Sequence, residues 1–268
     1  MEQEKRDGVK SLGKALRLID IINQARTPMT LMSLSQASGY PKSTVYALLN
    51  TLRHYDCIRQ ESDGRYYLGT RLFEWGCGVS ASWELNNVAG PYLEKLAVHT
   101  DATALLSRIE GSSVVVIDQY TAMGGGIYVT TEIGSHLPLH ATSQGKLLLA
   151  AMSDASAKAF LSGAGTLESF TPHTIVAQEE ILRELGQIRA NGYAVENGEY
   201  KIGLRSVSAP VYDRDGAMGY ALSVVGLFRK VRSQEFEDAV AYVSATARQL
   251  SEAIGYRGYR TQGRGQRK

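Results

Sequence analysis

Residues 39–52, GYPKSTVYALLNTL, decide the fold of the first part of this chain. Apolar residues recur there at the spacing i, i+3, i+4 and i+7, and they are Val45, Leu48, Leu49 and Leu52. This spacing places them on one side of a helix, opposite a short polar side. Gly39 suits the end of a preceding helix, and Pro41 suits the first turn of the helix itself. The stretch therefore predicts a helix that buries one face and presents a small polar face to a partner.

Two further helices and a hairpin are predicted around this one. Residues 10–24 form the first helix, because apolar side chains recur at helical spacing, namely Val9, Leu12, Leu16 and Ile19. Thr30 is a good N-cap for a short second helix. Residues 57–60 and 65–68 flank an Asp-Gly turn, which is typical of a hairpin. The order helix, helix, turn, helix, hairpin is that of a winged helix-turn-helix.

The polar side of the third helix has the size and chemistry of a DNA-reading surface. A helix packed by its apolar stripe can enter the major groove and bring hydroxyl and basic groups to base edges. Ser43 and Tyr46 are the expected base readers, while Lys42, Arg53 and Arg65 are the expected phosphate anchors. The full set of predicted DNA contacts is Lys42, Ser43, Thr44, Tyr46, Arg53, Arg65 and Tyr66. The alternative is a small three-helix domain used for protein contacts.

Composition and charge exclude several other classes of protein. Hydrophobic residues make up 44% of the chain and charged residues 21%, which excludes a mostly disordered polypeptide. No apolar run reaches the ~18–20 residues that span a bilayer, no secretory signal is recognised, and two cysteines make no disulfide framework. We therefore expect a cytoplasmic protein with no membrane partner. Residues 1–68 carry 10 Lys and Arg against 7 Asp and Glu, whereas residues 69–252 carry 14 against 20, which favours a polyanion binder joined to an acidic body.

The rest of the chain divides into three predicted segments. Residues 69–84 form a helical linker, whose glycines weaken it as a free helix, so we expect it to pack against a partner chain. Residues 85–255 form an α+β domain, because the strands come mostly as hairpins rather than as βαβ units. Residues 256–268 carry five basic and no acidic residues and predict a basic, mobile tail. The winged helix-turn-helix domain itself is predicted over residues 1–68.

The sequence resembles the IclR family of bacterial transcriptional regulators over about residues 9–255. The resemblance is carried by seven segments in the family's order: SLGKALRLID, GYPKSTVYALLNTL, RYYLGTRL, LPLHATSQGKLLLA, TPHTI, IRANGYAVENGEYKIGLRSVSAPVYD and ALSVVG. It implies a homodimer, or a dimer of dimers, that binds a roughly palindromic double-stranded DNA operator. It also implies a GAF-like effector-binding domain with a curved antiparallel sheet and a small organic acid as effector. RNA polymerase is a further partner expected of such a regulator.

The expected effector site centres on the start of the helix that begins near Ser143. Free N–H groups at a helix N-terminus attract anions, so residues Thr142, Ser143, Gln144 and Gly145 could seat a carboxylate. The resemblance adds Tyr128, Val129, Glu196, Ser206 and Ser223 to the lining. Because Glu196 would repel a second carboxylate, we expect a hydroxylated monoacid rather than a diacid. For Ser206 and Ser223, the alternative is that they are simply small residues in a packed sheet.

Two other functions remain as alternatives to a ligand-responsive regulator, which we expect to repress a catabolic gene cluster. Residues 141–145, ATSQG, approximate the G-x-S-x-G elbow, so a serine-hydrolase-like enzyme using Ser143 is one of them. A small-molecule-binding module without DNA binding is the other. His136 and His140 have a metal-like spacing, but Pro138 between them argues against a shared helix. We therefore predict no enzyme, no metal and no cofactor.

Overall fold

The structure is a computed structural model in which two units can be described. The described residues are 9–25, 27–81, 85–122, 129 and 131–258. Contacts divide the chain into residues 1–83 and residues 84–268, and each unit has a hydrophobic core of its own. The finer boundaries predicted from the sequence stay a prediction, and parts of the predicted linker and tail, residues 82–84 and 259–268, lie outside the described residues.

The first unit has the predicted order of elements. They are α1 (Lys10–Ala25), α2 (Leu31–Ser38), α3 (Lys42–His54), β1 (Ile58–Gln60), β2 (Tyr66–Leu68) and α4 (Thr70–Ala81). Helix α2 begins at the predicted cap, where the Thr30 hydroxyl accepts the N–H of Ser33 at 3.2 Å. It ends at Gly39, whose φ of +72° lies in the left-handed region that favours glycine. Strands β1 and β2 pair antiparallel, so the winged helix-turn-helix fold is confirmed.

The core of the first unit confirms the predicted stripe of α3. Val45 and Leu49 are fully buried, and they pack in one cluster with Leu18 of α1 and Leu34 of α2. Burial of each such side chain contributes about 1.5–3 kcal/mol to folding. The stripe fixes the rotation of α3 about its axis and therefore the direction in which the polar face points.

The apolar face predicted for α1 is wrong for three of its four residues, and only Ile19 packs against the core of this unit. Val9, Leu12 and Leu16 are 70%, 59% and 52% exposed, whereas Leu18 and Ile22 of the same helix are buried in the core. Helix α1 therefore has two apolar strips, and the fold buries the one that contains Leu18 and Ile22. The exposed residues Val9, Leu12 and Leu16, hereafter the α1 strip, stay at the surface of this unit.

The second unit is an α+β domain with one antiparallel sheet. Its elements are α5 (Asn86–Thr100), β3 (Thr103–Glu110), β4 (Ser113–Thr121), α6 (Ser143–Ala151), α7 (Asp154–Gly163), α8 (Gln178–Asn191), β5 (Ala194–Asn197), β6 (Arg205–Tyr212), β7 (Met218–Gly226) and α9 (Gln234–Ala253). The sheet has the strand order β4-β3-β7-β6-β5, and every neighbouring pair is antiparallel. This confirms the predicted fold class.

The two faces of this sheet differ in chemistry. Val207, Leu222 and Val224 share an apolar cluster with residues of α5 and α9. Because side chains alternate along a strand, Ser206 and Ser223 point to the opposite face, which α6 covers. The alternation therefore separates the main core from a buried polar layer. No helix in the described part of the chain combines the length and hydropathy that a membrane crossing needs.

Candidate DNA-binding surface and effector site

The N-terminal turn of α3 presents an exposed polar surface. Lys42 and Ser43 are exposed, and 53% of the Tyr46 surface is accessible. Pro41 stands at the N-cap and makes no side-chain hydrogen bond to the first turn. Backbone N–H groups that no cap satisfies can bind phosphate oxygens, and the helix dipole favours negative charge at the same end. The surface therefore offers phosphate-binding and base-reading groups together.

The predicted phosphate anchors lie at the far end of α3 and on the hairpin. The Arg53 guanidinium donates to Gln60 Oε1 at 2.8 Å, which ties α3 to β1. Arg65 is exposed and lies 3.5 Å from the Asp63 carboxylate in the turn. Exposed ion pairs of this kind contribute little stability, so Arg65 can exchange this carboxylate for a phosphate at low cost.

Two of the residues predicted to contact DNA are less accessible than the others. Thr44 is half-buried in the first turn of α3. Tyr66 is only 3% exposed, and its side chain packs in the core of the first unit. Its backbone N–H donates to the Met29 carbonyl at 2.8 Å, which directs this face of β2 inward. Tyr66 is therefore a core residue, and its prediction as a DNA contact is wrong.

Two basic residues of α1 were missed in the sequence. Lys14 Nζ lies 5.3 Å and the Arg17 guanidinium carbon 5.8 Å from the ring centre of Tyr40, just before α3. They add positive charge beside the N-terminal turn of α3. Their spacing of three residues on the polar side of α1 was the available signal.

The start of α6 is capped as a helix that adjoins a buried polar layer. Thr142 Oγ1 accepts the N–H of Gly145 at 3.1 Å and donates to the Pro138 carbonyl at 2.7 Å. The expectation of a free N–H at Gly145 is therefore wrong. In the described part of the chain, the N–H groups of Ser143 and Gln144 have no acceptor. Two N–H groups thus stay available at the helix end.

A hydrogen-bonded cluster joins α6 to two strands of the sheet, β6 and β7. Ser143 Oγ lies 2.8 Å from Ser206 Oγ and 2.6 Å from Ser208 Oγ. The Gln144 amide donates to Ser223 Oγ at 2.8 Å. All five side chains are at most 4% exposed. We call these residues the serine cluster, and it brings together Ser143, Gln144, Ser206 and Ser223 as predicted. Ser208 was missed, although it lies two residues from Ser206 and therefore on the same face of β6.

Glu196 closes the cluster from strand β5. Its Oε2 accepts the Ser206 hydroxyl at 3.2 Å, and its Oε1 accepts the N–H groups of Glu199 at 2.6 Å and Tyr200 at 3.2 Å. Burial raises the pKa of this carboxyl from 4.5 to about 6, although the two N–H groups and Ser206 oppose the shift and the Glu199 carboxylate adds to it. Glu196 is therefore a buried acceptor whose charge changes in mildly acidic solution.

A cavity of about 270 Å³ lies at the ends of β3 and β7. Val129 and Val225 line it, and Val225 is the β7 partner of Ser206. Val129 also packs against the apolar cluster of Leu105, Val116 and Val225. The predicted lining residue Tyr128 lies outside the described residues. The lining is mixed, because Asp101, Thr103 and Glu235 also border the cavity, and neither the serine cluster nor Glu196 belongs to it.

The geometry does not favour a serine hydrolase. The described partners of Ser143 Oγ are two serine hydroxyls and an amide, and the serine is fully buried. His140 Nε2 instead contacts the Glu168 carbonyl at 2.8 Å. A serine nucleophile needs an adjacent general base to activate it. Among the described residues, no group of three or more His, Cys, Asp or Glu side chains is placed to hold a metal ion.

Comparison with known proteins identifies close matches over nearly the whole chain. A family model described as "IclR helix-turn-helix domain" matches residues 11–62, and one described as "Bacterial transcriptional regulator IclR C-terminal" matches residues 77–252. The HTH-type transcriptional regulator XynR of Escherichia coli (strain K12) is 32% identical over 249 residues, which cover 92% of this chain and 98% of XynR. The HTH-type transcriptional repressor AllR of the same strain is 27% identical over 253 residues, which cover 94% of this chain and 93% of AllR.

A solved structure has the same fold. An IclR homologue from Microbacterium hydrocarbonoxydans, complexed with 4-hydroxybenzoate, matches with a TM-score of 0.78 at 23% identity, covering 91% of this chain and 99% of that chain.

XynR and AllR are transcriptional regulators and not enzymes. The family models match both units, and the longer match alone covers more than half of the chain. The chain therefore belongs to the IclR family of bacterial transcriptional regulators.

Proposed function

We propose that this protein is a cytoplasmic, effector-controlled repressor of a catabolic gene cluster, with a GAF-like effector domain and a small hydroxylated monocarboxylic acid as effector. The observation that carries the proposal is the buried serine cluster at the start of α6, which Glu196 closes. Hydrogen bonds within the cluster offset the cost of burying these polar groups, and a ligand that enters can take over the same donors and acceptors.

DNA binding is assigned to the first unit. The N-terminal turn of α3 supplies Lys42, Ser43 and Tyr46, and the hairpin supplies Arg65. The N–H groups of the turn and the basic side chains position the helix on phosphates, while Ser43 and Tyr46 reach base edges. The relationship to AllR, a repressor, supports repression as the mode of control. RNA polymerase is a further partner in this proposal.

The protein acts as a homodimer or a dimer of dimers, because two-fold symmetry matches a palindromic operator. The α1 strip and the α4 side chains Phe73 and Trp75, which are 75% and 56% exposed, supply apolar surface for a second copy. Apolar surface of this kind is costly to leave in water and marks protein contacts.

The effector is expected to replace hydrogen bonds that the cluster makes with itself. The Gln144 carboxamide bridges Ser143 and Ser223, and its planar shape resembles that of a carboxylate. An acid that displaces it finds the N–H groups of Ser143 and Gln144 as donors. Glu196 accepts a hydroxyl of the ligand and repels a second carboxylate. The homologue complexed with 4-hydroxybenzoate, itself a hydroxylated monoacid, supports this class.

Control of DNA binding requires that the effector bind one arrangement of the dimer better than another. Residues 69–84 link the winged unit to the effector domain, and we assign to them the transmission of this difference. A change in the separation of the two recognition helices would then change the fit to an operator whose half-sites have a fixed spacing.

The proposal is tested by selecting genomic fragments of the source organism with the purified full-length protein and sequencing them. The expected result is an enriched palindrome, and the genes beside it identify candidate effectors for calorimetry. Tyr46→Ala should abolish the enrichment, whereas the matched variant Tyr55→Ala, which removes an exposed tyrosine at the other end of α3, should retain it. Absence of enrichment by a folded wild-type protein at low salt contradicts the proposal.

A further inference from the structure

We propose that Lys146 is a positioning residue of the effector site, which acts through Glu199 to hold the Glu196 carboxylate against the serine cluster. The inference rests on the proposed function, because it concerns how that effector site is held. Lys146 follows the residues of the α6 N-terminal turn that carry the serine cluster, and yet its own side chain turns away from them. Its ammonium group is fully buried.

The first step is the ion pair between α6 and the loop after β5. Lys146 Nζ donates to both carboxylate oxygens of Glu199, at 2.8 and 3.0 Å, and to Glu184 Oε1 of α8 at 2.7 Å. Glu199 is 5% exposed. A buried pair with several short hydrogen bonds fixes geometry, because removal of one partner leaves a buried charge without compensation.

The second step links this pair to Glu196. The backbone N–H of Glu199 donates to Glu196 Oε1 at 2.6 Å, and the neighbouring N–H of Tyr200 donates to the same oxygen at 3.2 Å. The loop is further held because the Thr174 hydroxyl donates to the Glu199 carbonyl at 2.6 Å. The backbone of Glu199 thus orients Glu196, while its side chain is held by Lys146.

The third step concerns charge. Four charged residues lie beside the serine cluster: one ammonium group, on Lys146, and three carboxyl groups, on Glu184, Glu196 and Glu199. His173 packs beside Gly198 in the same loop. Burial raises the pKa of Glu184, and the Lys146 charge opposes that shift. Lys146 contacts Glu184 and Glu199 but not Glu196, so it acts on Glu196 through the Glu199 and Tyr200 N–H groups that accompany the Glu199 loop.

The test compares the wild type with a double variant of equal net charge, and a single variant controls for the loss of the Glu184 carboxylate. Glu184→Gln keeps the pair between Lys146 and Glu199 and is the matched control. The double variant Lys146→Met, Glu184→Gln removes that pair. It also removes one positive and one negative charge, so the net charge of the four residues stays that of the wild type. The ionisation of Glu196 is followed by carbon-13 NMR of full-length protein labelled at the glutamate carboxyl carbon, and Glu196→Gln identifies its resonance.

The expected result is a Glu196 titration midpoint in the double variant that lies above the wild-type midpoint by about half a pH unit or more, a threefold change in proton affinity. The cause is the loss of the two N–H donors that stabilise the charged form. Lys146→Arg should restore the wild-type midpoint. An unchanged midpoint in the folded double variant overturns the proposal.

A second measurement needs no variant. Amide hydrogen exchange of the wild-type protein should show protection of the Glu199 and Tyr200 N–H groups, and exchange at unfolded-chain rates overturns the proposal equally. Both measurements use the protein without effector or DNA. Failure of the proposed function would instead appear as the absence of an enriched palindrome, so the two failures are distinguishable.

Discussion

Replacement of Glu196 by glutamine removes a buried charge while it preserves shape. In the variant, Glu196→Gln, the amide oxygen can still accept the N–H groups of Glu199 and Tyr200, and the amide nitrogen faces Ser206. The pKa of Glu196 is raised from 4.5 to about 6, so the folded protein holds this proton more tightly than the unfolded chain does. Stability contributed by the protonated form is fully present below pH 4.5 and is lost as the pH rises through 6.

The magnitude follows from this shift. A rise in the pKa of Glu196 from 4.5 to about 6 corresponds to about 2 kcal/mol of folding stability. The wild-type protein loses this stability at neutral pH, because Glu196 is then ionised. Glutamine carries no charge at any pH, so the variant keeps this stability at neutral pH. For a domain of about 150–250 residues, about 2 kcal/mol raises Tm by about 4–8 °C.

The assay is thermal unfolding of wild type and variant at pH 7.5 and at pH 4.5. We expect Glu196→Gln to be more stable than wild type at pH 7.5, with the advantage disappearing at pH 4.5, where the wild-type carboxyl is protonated. Glu110→Gln, at the exposed end of β3, is the control for the loss of a surface carboxylate and should change little at either pH. An advantage of equal size at both pH values would refute the reasoning, because it would come from packing rather than from the buried charge.

Three further outcomes are expected. Arg65→Ala should weaken binding to all duplex sequences alike and lower the slope of log affinity against log salt by about one, measured by fluorescence anisotropy; a change in sequence preference alone would contradict its role as a phosphate anchor. Leu49→Ala should destabilise the first unit by about 2–5 kcal/mol in urea unfolding, because it leaves a cavity under α3, and a loss below 1 kcal/mol would show that the stripe does not fix this helix. A dicarboxylate should bind more weakly than the matching hydroxylated monoacid in calorimetry at pH 7.5, and the difference should shrink below pH 6 as Glu196 is protonated; tighter binding of the dicarboxylate at neutral pH would argue against the assigned role of Glu196.

Local patterns in the sequence were sufficient for much of the first unit. The stripe of α3, the Thr30 cap and the Asp-Gly hairpin each depend on residues within about ten positions of one another, and each is confirmed. Two assignments failed where a choice between faces was needed. Helix α1 has two apolar strips, and β2 places Tyr66 inward, because long-range packing decides which strip and which strand face are buried.

Helix α7 was missed, although its signals are present in the sequence. Ser153 caps it by accepting the N–H of Ser156, and Ala157 and Leu161 recur at a spacing of four. The helix is short, and intrinsic preference is weak over ten residues, so packing of Ala157 and Leu161 against α8 accounts for its stability.

The sequence by itself determined the winged helix-turn-helix, the α+β class of the body and the family, because periodicity, caps and turns are local properties. Only the tertiary structure decided how the serine cluster and its surroundings, the proposed effector site, are built. Strand order β4-β3-β7-β6-β5 brings Ser206 and Ser223 beneath the first turn of α6, and the loop after β5 brings Glu199 to Lys146. These contacts join residues that are 53 to 79 positions apart in the chain. Strand order depends on burial of whole sheet faces at once, which no short stretch of residues can specify.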